Sequence, residues 1–161
     1  AGTNIREPFL DVGDDSLYHL LDLNVRAMFT VAQAVAKRLV EAGSPGSLIN
    51  VSSINGHRGG TNRSVYTATK HAVEGATKGM AAELGPHGIR VNTLCPFFVE
   101  TPLTAGILSD EKFRSALERR VPLGRILRTE DLVGAVVFLA SPASAMVSGL
   151  ALIVDGGFNV Q

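Results

Sequence analysis

The chain is expected to fold as an α/β domain around a parallel sheet, on three observations. Short apolar segments at 47–52, 89–95 and 151–154 alternate with longer segments of helical period. Each apolar segment is closed by a helix or turn signal: Ser53, Pro96, or Asp155-Gly156-Gly157. No repeat or low-complexity tract interrupts the alternation, and no second domain is evident over residues 1–161. Strand–helix–strand alternation with near-continuous apolar strands marks right-handed crossover units, with a sheet covered on both faces.

Residues 1–13 read as loop, with Pro8, Gly13 and clustered Asp. A long helix is expected from Asp14 to about Ala42, with Gly13 or Asp14 as its cap and Gly43-Ser44-Pro45-Gly46 as its stop. Its apolar stripe runs Leu17, Leu21, Met28, Ala32, Val35, Leu39, and Asn24 is the polar position within it. A buried Asn must find hydrogen-bond partners. It either bonds to backbone as a core residue or holds a water or backbone group near an active site.

A strand at 47–52 leads into the loop after Ser53. The next helix spans about Ser64 to Leu84 and is stopped by Gly85-Pro86. It carries small residues at Ala68, Ala72, Gly75, Ala76, Gly79, Ala81 and Ala82, a pattern suited to tight packing or to a symmetry-related helix. Gly lowers helix propensity, so some contact should compensate. A strand at 89–95 is stopped by Pro96. Helices at about 110–120 and 129–140 follow, the latter with Thr129 as N-cap and Glu130-Asp131 in its first turn. A last strand at 151–154 ends the series.

Composition narrows the function. The 161 residues carry 15 acidic and 15 basic side chains without a basic stripe, which gives a nucleic-acid role little support. No apolar run approaches the roughly 20 residues of a membrane span, and no secretory leader is visible. A single cysteine, Cys95, fits a reducing compartment, so a cytoplasmic protein is expected. His19, His57, His71 and His87 show no ligand spacing and Cys95 stands alone, so no metal site is expected. Ser53 and His57 are close in sequence, yet no Gly-x-Ser-x-Gly elbow surrounds Ser53 and no Asp is placed to orient the His.

The stretch with chemistry is Ser53 to Lys70. Tyr66 and Lys70 are four apart and share one helix face. An ammonium beside a phenol favours the phenolate and draws the Tyr pKa down from about 10 toward working pH. Such a Tyr serves as a general acid or base.

With these residues in place, the chain resembles the C-terminal two-thirds of a classical short-chain dehydrogenase/reductase. Ser53 precedes the Tyr of Tyr66-x-x-x-Lys70 by thirteen residues, the family spacing, which favours Ser53 over its competitor Ser52. The strand ending Ile-Asn-Val-Ser-Ser at 49–53, the segment Leu-Asn-Val-x-x-x-Phe at 23–29, and the tail Gly-x-x-Leu-x-Val-Asp-Gly-Gly at 149–157 are also similar to the family. Ala1-Gly2 looks like the end of its Asn-Asn-Ala-Gly stretch, and a chain opening without Met reads as one whose front is missing.

The resemblance implies an incomplete Rossmann-like, doubly wound parallel sheet of about three strands and four to five helices. It implies an oxidoreductase using NAD or NADP to interconvert a secondary alcohol and a ketone or aldehyde. Asn24, Ser53, Tyr66 and Lys70 would be catalytic, with Asn24 holding a water that links Lys70 to solvent. Gly2, Tyr66, Lys70, Pro96, Phe97, Val99 and Thr101 would meet the cofactor. Ser53, Asn55, His57 and Tyr66 would meet a small alcohol or carbonyl substrate. A homodimer or homotetramer is implied, with neither nucleic acid nor membrane as partner. The loop ending in Tyr66-Thr67-Ala68-Thr69-Lys70 is similar to sugar- and polyol-handling or carbonyl-reducing members.

Two departures stand out. No Gly-x-x-x-Gly-x-Gly turn, the pyrophosphate cradle, occurs in the chain. Pro96 is followed by Phe97 where the family has Gly, so a ring either narrows the nicotinamide site or fills a structural gap. The missing turn motivates an alternative: a catalytically inactive remnant acting as an oligomerisation or binding module.

Overall fold

The structure is a computed structural model describing residues 2–160; Ala1, part of the opening motif, lies outside the described residues. Three strands, β1 (Gly46–Val51), β2 (Ile89–Pro96) and β3 (Ala151–Val154), form a parallel sheet in the order β1-β2-β3. Gly46 pairs with Ile89 and Val51 with Leu94; Thr93 pairs with Ala151 and Pro96 with Val154. The helices are α1 (Asp14–Leu21), α2 (Ala27–Glu41), α3 (Ser64–Leu84), α4 (Pro102–Leu108), α5 (Glu111–Glu118) and α6 (Glu130–Ala140).

Strand alternation explains the two covered faces. On one face, Asn50 Nδ2 donates to Thr77 Oγ1 of α3, and Thr93 Oγ1 donates to Glu74 of the same helix. On the other, Ser47 Oγ and Arg90 donate to the Leu139 carbonyl near the end of α6. β2, central and fully covered, is almost wholly buried, with Val91, Asn92, Thr93 and Cys95 at 0% exposure. β1 has no strand on its outer edge among the described residues, and Val51 there is exposed.

The helix expected over 14–42 is not continuous. A π-turn at Asp22–Arg26 separates α1 from α2, with the Ala27 N–H bonded to the Asp22 carbonyl. The extra residue shifts the inward face, so Leu20, Asn24, Ala32 and Ala36 are buried while Leu21 and Val35 of the expected stripe are exposed. Two further expectations are corrected. Thr129 has helical backbone and makes no cap bond; its hydroxyl meets Glu130 instead. α4 fills part of what reads as loop: Thr101 and Thr104 bracket its first turn, with the Thr101 N–H donating to Thr104 Oγ1 at 3.1 Å.

The small residues of α3 also face a different way from a sheet-packing stripe. Its buried positions are Thr69, Lys70, Val73, Glu74 and Thr77, whereas Gly75 and Gly79 look onto open space. A second core lies beyond the C-terminal ends of the strands, where Ile54, Phe97, Leu108, Leu117, Val121, Ile126, Leu127 and Phe158 cluster.

Candidate active site

The C-terminal ends of β1 and β2 deliver the candidate residues to one place. β1 ends at Val51, and Ser52 and Ser53 continue it in extended backbone to a short 3-10 turn, Ile54–Gly56. Ser53 Oγ caps that turn, accepting from the Asn55 N–H at 3.1 Å. The first turns of α3 bring Tyr66 over the same strand end. A cleft of about 430 Å³ opens there, lined by Ser53, Asn55, Tyr66, Pro96, Phe97, Val99 and Thr101 of the expected residues. Asn4, Arg6 and Arg63 add polar groups to its wall, and Asn4 Oδ1 is buried without a hydrogen-bond partner.

The electrostatics differ from the simple Tyr–Lys picture. Burial pushes the Tyr66 phenol above its ordinary value; the Ser53 hydroxyl and the Arg63 charge pull it partly back. The Lys70 Nζ lies 5.6 Å from the Tyr66 ring centre and donates to the Val51 carbonyl at 3.1 Å. Burial lowers the Lys70 pKa, with the nearby Cys95 and Glu74 opposing that trend. In this chain the phenol is therefore held neutral, and the cation nearest in effect to it is Arg63.

Asn24 is placed behind the pair. Its Oδ1 accepts from the Thr3 N–H at 3.0 Å, and its Nδ2 reaches the Thr3 carbonyl at 3.0 Å and Thr69 Oγ1 at 3.2 Å. The side chain is thus committed to protein groups, as in the core reading of this residue. A Cβ on Gly2 would stand 3.2 Å from Asn24 Oδ1 and 3.9 Å from Lys70 Nζ, so the opening segment passes close over both. Phe97 stacks on Phe158 at 4.2 Å and meets Phe98 edge-on at 5.2 Å. It fills the second core with one side and borders the cleft with the other.

Of the expected site residues, Gly2, Asn24 and Lys70 lie behind the cleft and do not line it, and His57 turns away. It does not line the cleft; its Nε2 faces Glu74 Oε1 at 3.4 Å and the Cys95 thiol at 3.6 Å.

The family profile described as Enoyl-(Acyl carrier protein) reductase matches residues 1–159. The chain belongs to the short-chain dehydrogenase/reductase family. It is 44% identical over 158 residues to an L-xylulose reductase of Bos taurus, covering 98% of this chain and 65% of that protein. It is 41% identical over 161 residues to a gluconate 5-dehydrogenase of Gluconobacter oxydans, covering all of this chain and 62% of that protein. A gluconate 5-dehydrogenase of Burkholderia cenocepacia, solved in complex with NADP and tartrate, superposes with a TM-score of 0.96 at 38% identity over the whole chain and 63% of its own. The chain thus spans somewhat less than two thirds of the length of these short-chain dehydrogenase/reductase relatives.

Not every grouping at the strand ends falls within the sequence motifs. Sequence reasoning missed Arg6 and Arg63 in the cleft wall, because neither belongs to a motif. It also missed the meeting of His57, Glu74 and Cys95. Those three come from a turn, a helix and a strand, so no local spacing reveals them.

Proposed function

We propose that this chain carries the proton-handling half of a nicotinamide-dependent oxidoreductase that interconverts a secondary alcohol and a ketone or aldehyde. The observation that carries the reading is the convergence of Ser53, Asn55 and Tyr66 on one cleft at the strand ends. Tyr66, neutral at working pH, gives its phenolic proton to a carbonyl oxygen in reduction and takes it back from the alcohol in oxidation. Ser53 hydrogen-bonds the same substrate oxygen. Lys70 and Asn24 support the pair from behind; a proton relay through Asn24 would use its main chain, since its side chain is occupied. The hydride comes from, or goes to, a bound NAD or NADP. Gly2, Tyr66, Lys70, Pro96, Phe97, Val99 and Thr101 are the residues proposed to meet it, and the unpartnered Asn4 Oδ1 in the cleft wall suits a polar ligand group.

The cleft favours a polyhydroxylated or anionic substrate. Arg6 and Arg63 line it, and neither is ion-paired to a carboxylate among the described residues. Relatives named for xylulose, gluconate and erythrulose chemistry agree with that class. Assembly as a homodimer or homotetramer in the cytoplasm completes the proposal, with the open small-residue stripe of α3 as one contact.

The test uses a chimera in which the unmatched segment of the bovine L-xylulose reductase is joined to this chain. Reduction of a ketose or ketogluconate is followed by loss of NADPH or NADH absorbance. Tyr66→Phe should abolish turnover with unchanged circular dichroism; retained turnover refutes the assignment. The second reading is a non-catalytic binding module. It predicts no turnover even in the chimera with Tyr66 intact.

A further inference from the structure

Beneath the cleft, on the α3 side of the sheet, three potential ligand atoms converge. His57 Nε2, Glu74 Oε1 and Cys95 Sγ are separated by 3.4 Å (His–Glu), 3.6 Å (His–Cys) and 3.2 Å (Cys–Glu). A tetrahedral Zn(II) with bonds of about 2.0–2.3 Å spaces its ligand atoms about 3.3–3.6 Å apart. The His–Glu and His–Cys separations match one face of such a tetrahedron, and the Cys–Glu pair is slightly closer than its edge. We propose that His57, Glu74 and Cys95 constitute a site for a thiophilic divalent metal ion of the Zn(II) type, independent of the hydride-transfer reading.

Two further observations point to a ligand. The Ser52 hydroxyl is 4% exposed and faces no polar partner but the Cys95 thiol; it supplies a fourth ligand or holds a water in that position. Gly56 lets Ser52 and Glu74 approach the turn, since a Cβ there would stand 2.9 Å from Ser52 Oγ and 3.2 Å from Glu74 Oε1. The outer groups are also in place. Thr93 Oγ1 donates to Glu74 Oε2 at 2.9 Å and lies 3.3 Å from the Cys95 sulfur, fixing the carboxylate so that Oε1 faces the centre. Without metal, the Cys95 thiol donates to Glu74 Oε1. Binding replaces that proton, which leaves to solvent, and two anionic ligands then neutralise the dication. The side-chain ring of His57 is partly open to solvent and gives the ion its entry path. A thiolate–imidazole–carboxylate set disfavours Mg(II) and Ca(II), which take oxygen ligands.

The experiment titrates the 161-residue chain with CoCl2, then with ZnCl2 against a chromophoric chelator. One equivalent of Co(II) should give tetrahedral visible bands and a thiolate charge-transfer band, both displaced by Zn(II). Zn(II), and not Mg(II), should raise the melting temperature. Cys95→Ser and His57→Gln should each weaken Zn(II) binding on the order of a hundredfold. A chain with His19, His71 and His87 replaced by Gln should bind as before. Absence of a charge-transfer band at one equivalent overturns the proposal and leaves a hydrogen-bonded cluster only. Zn(II) affinity unchanged in His57→Gln, with an unchanged circular dichroism spectrum, overturns it as well.

Discussion

The Lys70 ammonium is anchored to the Val51 carbonyl, 3.1 Å away, at the open edge of β1. Its charge is buried there, and the folded chain holds the Lys70 proton less tightly than the unfolded chain, whose value is near the ordinary 10.5. The cost of burying the charge is complete at neutral pH and disappears as pH rises toward 10.5, because the folded state loses the proton first. Stability relative to Lys70→Met should therefore climb between neutral pH and about 10.5. Urea denaturation of both chains across that range measures it, and a constant difference would refute a depressed Lys70.

Asn24 makes a second structural prediction. It pairs with both main-chain groups of Thr3 and with Thr69; Asn24→Ala strands the Thr3 N–H and carbonyl, whereas Thr69 Oγ1 keeps its bond to the Tyr66 carbonyl. Each buried group left unpaired costs about 1–3 kcal/mol, with the lower end fitting the half-buried Thr3. The urea midpoint should fall at unchanged m-value, and the Thr3 amide should exchange faster. An unaltered midpoint would mean that the clamp contributes nothing to the fold.

These two residues also mark where the sequence was legible. The alternation of apolar strands and periodic helices led directly to the parallel sheet, because a covered strand such as β2 must be continuously apolar or hydrogen-bonded. α3 was placed at its observed bounds, Ser64–Leu84, since Gly85-Pro86 ends it unambiguously. The π-turn at Asp22–Arg26 was not legible: it preserves helical φ and ψ and adds one residue that composition does not announce. Ser53 and Tyr66 met as their spacing implied. The direction of the phenol's shift was not legible, because it is set by how deeply tertiary packing buries the ring, the largest cause acting on Tyr66. Arg63, His57, Glu74 and Cys95 acquire their roles only through tertiary contact.

Phe97 and Phe158 should be energetically coupled. Their rings stack at 4.2 Å with 26° between planes, and Arg58 and Arg120 lie over Phe158 at 4.8 and 4.7 Å. Phe97→Ala and Phe158→Ala should each cost about 3–5 kcal/mol as cavity-forming changes. The double variant should cost less than their sum by about 0.5–1.5 kcal/mol, the part that belongs to the ring pair. Additive losses in a chemical-denaturation cycle would show Phe97 to be an independent filler of the second core.

The 161-residue chain alone should bind neither NADH nor NADPH in the micromolar range. A pyrophosphate is held by main-chain N–H groups at a glycine-rich turn and by the positive end of a helix. No Gly-x-x-x-Gly-x-Gly occurs in the sequence. The helix starts of α1, α5 and α6 are occupied by Asp14 and Asp15, by Glu111 and its cap Asp110, and by Glu130 and Asp131. Those carboxylates repel a second anion from the helix ends. The start of α3 lacks an acid, yet it already presents Arg63 and Tyr66 to the cleft. Nicotinamide fluorescence titrated with the chain should therefore rise without saturating, whereas the chimera should saturate. Saturable micromolar enhancement by the chain alone would show that its cleft residues suffice to hold the dinucleotide.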